Sequence, residues 1–299
     1  MDTIYVLDGS AFLYRSYYAL PSLKTEDGIE TGAFYGFVRA IFAILKTKKP
    51  KYFAIAFDLP APTVRDKIYK EYKATRKETP NELVSQIPFI KRAINLLGIR
   101  LLEKEGLEAD DIIAYIAHKS KECNKNLTIY TPDKDLMQLV EDKKIIVINP
   151  ITNKVFDEQA VIEKFGVPPS RLADYLALIG DSVDNIKGIK GVGPKKAVEL
   201  LEKYGSIENI LNNWDEIQKN FKEASKKDLE LAYKLIKLNT KEILNMIYIH
   251  LEDLKISYNI DLKKVEEFFL AFNMKSLIKD LNTIFKEKSS AKRTQKKLF

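Results

Sequence analysis

The sequence predicts an α/β fold in which a mostly parallel central sheet is flanked by helices, followed by a helical C-terminal region. Three short apolar segments, at residues 4–8, 52–58 and 127–131, have the β-branched and aromatic composition of buried strands, and an Asp stands at or near the end of each. Helical patterns separate these segments, and strand–helix alternation is typical of parallel sheets. Beyond about residue 159 the strand pattern fades.

The remaining elements follow from periodicity and from the Gly and Pro residues that punctuate it. Residues 144–150 are a short apolar run and predict a fourth strand. Apolar residues recurring at helical spacing predict helices at 32–47, 83–97 and 110–121, and then at 159–165, 170–179, 194–204, 206–211, 226–237 and 262–271.

Composition and charge exclude several classes of protein. The 299 residues contain one cysteine, Cys123, which excludes a disulfide framework and a thiolate zinc site. No apolar run approaches the roughly 20 residues that cross a bilayer, and the N-terminus lacks a signal-peptide pattern. We therefore expect a cytoplasmic protein without a membrane partner. The net charge is +7, of which residues 286–299 carry +5. Acidic clusters within a basic chain indicate metal ions that face a polyanion.

Nine acidic residues stand where a solvated surface is a poor explanation. Each has a simpler alternative when taken alone, such as a helix cap for Asp110 or Asp135 and a turn for Asp181. Several follow strands, and the carboxyl ends of parallel strands meet at one edge of a sheet. Clustered carboxylates need a counter-charge, and hard oxygen ligands favour two Mg²⁺ or Mn²⁺ ions. The nine are Asp8, Asp58, Glu108, Asp110, Asp111, Asp133, Asp135, Asp181 and Asp184.

A basic and aromatic segment follows the second predicted strand. Tyr69, Tyr72, Lys73 and Arg76 are spaced to share one face of a helix. Such a face could hold a phosphate and stack on unpaired bases. The alternative is a solvated helix with pairs such as Lys67 with Glu71. Arg15 is a second cation near the first strand, and its simpler role is a surface charge.

A glycine-rich segment precedes the helix that Pro194 opens. Gly188, Gly191 and Gly193 would expose backbone N–H groups that can seat a DNA phosphate, although such a pattern is often only a turn. The neighbouring Lys195 and Lys196 favour phosphate binding.

Taken together, these motifs resemble the 5′-nuclease superfamily, which includes the 5′–3′ exonuclease domain of bacterial DNA polymerase I and the flap endonucleases. The resemblance spans roughly residues 3–285 and runs in order through LDGSAFLYRSYYALP, TGAFYGF, FAIAFD, YKATR, EADD, TPDKDLMQLV, FGVPP and LIGDSVDNIKGIKGVGPKKA. It implies a PIN-like nuclease core over 1–180 with a helical arch around 62–82. It also implies a helix–three-turn–helix DNA-binding region over 181–285 with a hairpin at 186–205, and we expect a flexible basic tail over 286–299.

The resemblance also implies roles for individual residues. Asp8, Asp58, Glu108, Asp110 and Asp111, with Asp133, match the ligands of a first metal ion, and Asp135, Asp181 and Asp184 match those of a second. Lys73 and Arg76 match residues that act on the scissile phosphate, and we expect them to be catalytic together with Asp8 and Asp110. The predicted DNA contacts are Arg15, Arg65, Tyr69, Tyr72, Lys73, Arg76, Gly188, Gly191, Gly193, Lys195 and Lys196. Relatives bind K⁺ at the glycine-rich segment, but they usually have Pro at positions 187 and 190 and Thr at 196.

The activity implied is that of a structure-specific 5′–3′ exonuclease or 5′-flap endonuclease that uses two metal ions. Its substrates would be flapped, nicked or 5′-ended DNA and RNA primers, in primer removal from Okazaki fragments and in DNA repair, and we expect a monomer associated with the nucleoid. Two alternatives stay open: a ribonuclease on the same core, and a branched-DNA-binding protein with weak catalysis.

The last five residues, QKKLF, resemble the peptide by which bacterial proteins dock on the sliding clamp. Gln295, Leu298 and Phe299 would supply its contacts. The alternative is an unstructured basic end that adds nonspecific DNA affinity. No polymerase or proofreading segment accompanies the nuclease motifs, and the clamp interpretation predicts a free-standing nuclease.

Overall fold

The structure is a computed structural model that describes residues 2–20, 23–238 and 240–295, with the backbone alone described for residues 286–295. The chain divides into two compact units. Unit 1 consists of residues 1–57, 78–103 and 249–299, and unit 2 consists of residues 58–77 and 104–248. The domain boundaries inferred from the resemblance stay a prediction.

The predicted α/β architecture with mostly parallel strands is confirmed. The strands are β1 (Thr3–Asp8), β2 (Tyr52–Ala56), β3 (Arg100–Leu102), β4 (Asn126–Tyr130), β5 (Ile145–Ile148), β6 (Val155–Phe156), β7 (Gly180–Asp181) and β8 (Ile186–Lys187). In unit 1, β1 and β3 each pair with β2 in parallel. In unit 2, β4 pairs in parallel with β5, and the short β6 pairs with β5 in the antiparallel direction. A two-stranded antiparallel ribbon, β7 with β8, lies later in unit 2.

Helices make up most of the remaining described chain, and among these helices none is both long and apolar enough to span a membrane. A 3₁₀ helix covers Asp135–Leu139 and another covers Leu251–Leu254. The α-helices are α1 (Gly9–Ala19), α2 (Gly32–Lys48), α3 (Val64–Ile68), α4 (Asn81–Val84), α5 (Ile87–Leu96), α6 (Ala109–Glu122), α7 (Glu158–Phe165), α8 (Pro169–Ile179), α9 (Pro194–Tyr204), α10 (Ile207–Asn212), α11 (Trp214–Asn220), α12 (Lys226–Ile236), α13 (Lys241–Leu244), α14 (Leu262–Ala271) and α15 (Lys275–Gln295).

The core strands carry the acidic residues to their carboxyl ends. Every residue of β2 is buried, so its apolar side chains fix the strand, and Asp58 follows two residues after it. Asp8 is the last residue of β1. In unit 2, β4 ends at Tyr130 and the chain then enters the Asp133–Asp135 loop. Apolar burial therefore places acidic groups just beyond the ends of strands.

The helix predicted over 83–97 differs from the structure, and the predicted tail overlaps the last helix. The single helix expected over 83–97 is broken into α4 and α5, because Pro88 has no N–H to continue the ladder and instead stands in the first turn of α5. The backbone of α15 continues to Gln295, into the stretch for which a flexible tail is predicted. Residues 286–295 contain no Gly or Pro and are rich in Lys, Glu, Ala and Gln, which favour helix.

Candidate active site

Two of the predicted metal-binding and DNA-binding residues lie in unit 1, at the end of β1 and on α1. Asp8 is 3% exposed, and its Oδ1 accepts a hydrogen bond of 3.0 Å from the Ala11 N–H, so it caps α1. Arg15 lies with its guanidinium 5.1 Å from the centre of the Phe12 ring, and burial lowers its pKa.

Unit 2 contains every other predicted metal ligand, and one of them, Asp111, belongs to a buried ion pair. The Arg65 Nη1 and Nη2 atoms donate to the Asp111 carboxylate at 2.7 and 2.8 Å. The exposed fractions of the two side chains are 3% and 0%. Burial works to lower the pKa of Arg65, but Asp111 and then Glu108 outweigh it and raise that pKa. Arg65 is therefore a permanent cation inside the acidic cluster.

Two predicted roles find no support in these contacts, namely Arg65 as a DNA contact and Asp111 as a metal ligand. Arg65 is too deeply buried to contact DNA, and its Nε is also engaged by the Leu235 carbonyl at 2.8 Å. Asp111 has both oxygens occupied by Arg65, and its Oδ2 also accepts from the Glu108 N–H at 3.1 Å, so it is not placed as a metal ligand. Part of the counter-charge that the sequence assigned to metal is thus supplied by arginine.

The basic segment after Asp58 is not the helical face that the spacing predicts. α3 ends at Ile68, and residues 70–75 form consecutive turns, with Lys73 at a φ of 57°. Contacts with the GDSVDN segment replace the helical hydrogen bonds: the Lys73 N–H donates to the Asp184 carbonyl at 3.0 Å, and the Asn185 side chain donates to the Glu71 carbonyl at 2.9 Å. Tertiary contacts override local spacing here.

These turns nevertheless deliver the predicted cations to the predicted carboxylates. The Lys73 Nζ lies 2.6 Å from Glu108 Oε1, and Arg76 donates twice to Asp184 Oδ1, at 2.5 and 2.8 Å. The Tyr72 hydroxyl donates to Glu108 at 3.2 Å and lies 3.5 Å from Asp184. Tyr72 is only 7% exposed, which does not fit a base-stacking role in this arrangement. Burial works to lower the pKa of Lys73, but Glu108 outweighs it and raises that pKa, so Lys73 is charged.

The second acidic group surrounds a lysine that sequence reasoning missed. Lys134, between Asp133 and Asp135, lies with its Nζ 2.6 Å from Asp181 Oδ2. Burial alone would raise the pKa of Asp181, but the hydrogen bond from Lys134 lowers it. Burial, followed by the charge of Asp133, raises the pKa of Asp135 to about 8, and burial also raises the pKa of Asp133.

The residues present fit divalent cations. Asp135 Oδ1 is buried and has no hydrogen-bond partner among the described residues, and the surrounding donors are hard carboxylate oxygens. Within the described part of the chain, no three acidic, His or Cys side chains are arranged to hold an ion as they stand. Three of the predicted ligands, Glu108, Asp184 and Asp181, instead pair with the side chains of Lys73, Arg76 and Lys134.

The remaining predicted ligands lie at the start of α6. Asp58 Oδ1 accepts a hydrogen bond of 2.7 Å from the Ala109 N–H, so this carboxylate also supports the first turn of the helix. Asp110 is the second residue of α6 and is half-buried. Asp110 stays a predicted ligand.

The glycine-rich segment forms a close turn before α9. Gly188 has no room for a side chain, since a Cβ there would stand 2.4 Å from the Leu178 carbonyl oxygen. Gly191 has a φ of 86° and, like Gly193, open space around the Cβ position, so its backbone is approachable. Lys195 and Lys196 are exposed. The Lys196 Nζ donates to the Gly191 carbonyl at 3.1 Å, which gives this carbonyl an ammonium partner from the chain itself.

Family models match nearly the whole chain. Residues 3–166 match the N-terminal resolvase-like domain of 5′–3′ exonucleases, and residues 167–261 match their C-terminal SAM fold. The chain belongs to the 5′–3′ exonuclease family. It is 50% identical to the 5′–3′ exonuclease of Aquifex aeolicus over 289 residues, which cover 97% of this chain and 98% of that one. It is 37% identical to DNA polymerase I of Caldicellulosiruptor bescii, matching 92% of this chain and 33% of the polymerase.

Solved structures share the fold of this exonuclease family member. The bacteriophage T5 D15 flap endonuclease, in a complex with DNA and metal ions, gives a TM-score of 0.65 at 19% identity and covers 89% of this chain and 98% of its own. The catalytic core of Rad2 in complex with DNA substrate gives 0.62 at 18% identity and covers 95% of this chain and 92% of its own. These likenesses confirm the predicted fold class.

The predicted clamp peptide lies at the edge of the described chain. Gln295 is the last residue of α15, with only its backbone described. Leu298 and Phe299 lie outside the described residues, so the clamp contact stays a prediction.

Proposed function

We propose that this 5′–3′ exonuclease family member hydrolyses phosphodiesters of DNA as a divalent-metal-dependent 5′-nuclease, acting on 5′ flaps as well as on 5′ ends. The observation that carries the proposal is the connected network in unit 2. There Lys73 bonds to Glu108, Arg76 bonds to Asp184, and the Tyr72 hydroxyl reaches both carboxylates. A solvated charged surface would not need such buried and mutually paired groups.

Two Mg²⁺ or Mn²⁺ ions, when bound, would supply an activated water and stabilise the leaving oxygen during in-line attack. The proposed ligands of the first ion are Asp58, Glu108, Asp110 and Asp133. Asp8 is also proposed as a ligand of this ion, from the sequence resemblance alone. Asp135, Asp181 and Asp184 are the proposed ligands of the second. Asp111 is left out because Arg65 occupies it.

The arch cations would act on the phosphate that carries the developing charge. In this structure the Lys73 side chain pairs with Glu108 and the Arg76 side chain pairs with Asp184. The exposed fractions of the Lys73 and Arg76 side chains are 25% and 46%, so a phosphate could approach both. A scissile phosphate would offer them the same anionic partner that Glu108 and Asp184 offer here. Holding a cation against a developing negative charge lowers the barrier to cleavage.

The glycine-rich turn would bind duplex phosphates. Gly191 and Gly193 leave the backbone approachable, and exposed Lys195 and Lys196 add positive charge, so binding should be independent of sequence and weaken with salt. K⁺ at this turn remains a proposal. We likewise propose four further properties from the resemblance: RNA primers as additional substrates, a monomeric state, docking on a sliding clamp, and a nucleoid role in replication and repair.

A flap substrate labelled at its 5′ end tests this function. With Mg²⁺ we expect release of a labelled fragment that ends near the flap junction, and with EDTA we expect intact substrate. Release of single labelled nucleotides alone would indicate a pure exonuclease. Tight binding without cleavage in Mg²⁺ and in Mn²⁺ would contradict the proposal and favour the branched-DNA-binding protein.

A further inference from the structure

The C-terminal end of α12 is held by side chains from two distant parts of unit 2. The last carbonyls of any helix lack intrahelical partners and need other donors. In α12 the Leu235 carbonyl accepts from Arg65 Nε at 2.8 Å, and the Ile236 carbonyl accepts from Gln138 Nε2 at 3.1 Å. The Gln138 Oε1 atom also accepts a hydrogen bond of 2.9 Å from the Leu238 N–H. Gln138 therefore bonds both to the last residue of α12 and to the backbone just beyond it.

Each of these two side chains also holds part of the acidic cluster. Arg65 grips both oxygens of Asp111 and lies 3.5 Å from Glu108 Oε2. Its planar fork fixes the angle between these acceptors, which a flexible ammonium would not do. Gln138 donates to the backbone carbonyl of Asp135 at 2.9 Å, at the start of the 3₁₀ helix. One helix end therefore supports both the Glu108 group and the Asp135 group.

The same helix lies beside the segment that carries the other two acidic residues. α12 packs against α8 and β8, and these elements come just before Asp181 and just after Asp184 in the chain. The α12 helix with the residues at its C-terminal end is thus a common support for three chain segments that bear proposed metal ligands. Neither Arg65 nor Gln138 needs to touch an ion or DNA to affect this geometry.

We propose that Arg65 and Gln138 are positioning residues that fix the two groups of metal-binding carboxylates against the end of α12. The assignment of the carboxylates as metal ligands rests on the proposed function. Arg65 would act through Asp111 and Glu108, and Gln138 through the backbone of Asp135. Groups that orient metal ligands in this way usually change metal affinity or activity about 10- to 100-fold when they are replaced.

The variants Arg65→Lys and Gln138→Leu test the proposal. Arg65→Lys keeps the positive charge but loses the planar guanidinium that bonds to both oxygens of Asp111. Gln138→Leu keeps the approximate size of the side chain but loses its three hydrogen bonds, to Asp135, Ile236 and Leu238. Titration calorimetry with Mn²⁺ in the absence of DNA should show affinity lowered about 10- to 100-fold for both. DNA affinity in EDTA should equal that of the wild type, and saturating Mn²⁺ should recover part of the lost cleavage rate.

Two control variants match these changes outside the network. Arg171→Lys alters a half-exposed arginine that lies 3.6 Å from Asp174, and Gln159→Leu alters an exposed glutamine paired with Glu163. Both should bind Mn²⁺ as the wild type does. Circular dichroism of each variant shows whether it is folded, and Gln138→Leu decides the matter if Arg65→Lys does not fold.

Wild-type Mn²⁺ affinity in a folded Arg65→Lys and a folded Gln138→Leu protein would overturn the proposal. A loss of DNA affinity in EDTA with unchanged Mn²⁺ affinity would also overturn it, because that pattern belongs to a DNA contact. Failure of the proposed function is recognised separately: the wild type would then not cleave the flap substrate, while the Mn²⁺ affinities would still report on positioning.

Discussion

The Asp135→Asn variant is expected to lose more than about 100-fold in cleavage rate and yet to be more stable than the wild type in metal-free buffer. A loss beyond about 100-fold exceeds what a residue that only supports a metal ligand usually causes. At neutral pH the free energy of unfolding should rise by about 1 kcal/mol or more, because burial and the charge of Asp133 raise the pKa of Asp135 to about 8. Folding of the wild type must therefore protonate a carboxylate that is ionised in the unfolded chain, whereas Asn needs no proton. Single-turnover flap cleavage in Mg²⁺ and thermal unfolding in EDTA measure the two effects.

Asp157→Asn is the matched control for this variant. Asp157 is an exposed carboxylate that caps α7 through the Ala160 N–H, and Asn caps a helix equally well. The cleavage rate and the melting temperature of the Asp157→Asn variant should both stay at the wild-type values. An Asp135→Asn protein that cleaves normally, or that melts earlier in EDTA, would contradict the assignment of Asp135 to a site built for metal.

The Lys73→Ala variant is expected to slow the chemical step on the order of 10²–10³-fold, which is typical for the loss of one group that stabilises developing charge. Lys73 lies 2.6 Å from Glu108, so its ammonium already stands within the acidic cluster where the phosphate would be cut. Its effect on DNA affinity should be small, since one phosphate contact contributes little to a large duplex interface. Single-turnover rates at saturating enzyme, compared with binding in EDTA, separate chemistry from affinity.

Lys70→Ala is the appropriate comparison, because Lys70 is an exposed lysine of the same segment. Its cleavage rate should match that of the wild type. Equal losses in Lys73→Ala and Lys70→Ala would mean that the segment contributes only diffuse positive charge, and the catalytic assignment of Lys73 would be wrong.

Strong local signals made the framework predictable. The buried strands read from apolar runs lie within a few residues of their predicted limits, and α9 and α14 begin and end at the predicted residues. α9 has Pro194 at its first position and Gly205 directly after its last, which are the residues that start and stop helices. Short elements such as β3, with three residues, depend on pairing with a neighbour and leave little trace in the sequence.

The site was predictable in its residue types and not in its pairings. Spacing predicted a helical face for Tyr69–Arg76, yet contacts with residues 182–185 convert it into turns. Spacing also gave no sign that Arg65 is buried against Asp111, since this pair joins residues 46 positions apart. Lys134 could have been found, because a lysine between two predicted ligands must lie near their charges. Gln138 is only one of several polar residues in its segment.

The central claim is that the acidic cluster works by binding divalent metal, and the cleavage rate of Asp110→Ala over a Mg²⁺ titration tests it most directly. Asp110, at the second position of α6, is a proposed ligand of the first ion. The variant should show no cleavage of the labelled flap at any Mg²⁺ concentration, while its DNA affinity in EDTA and the activity of a Glu158→Ala control stay at the wild-type level. Cleavage by Asp110→Ala at the wild-type rate would contradict the account.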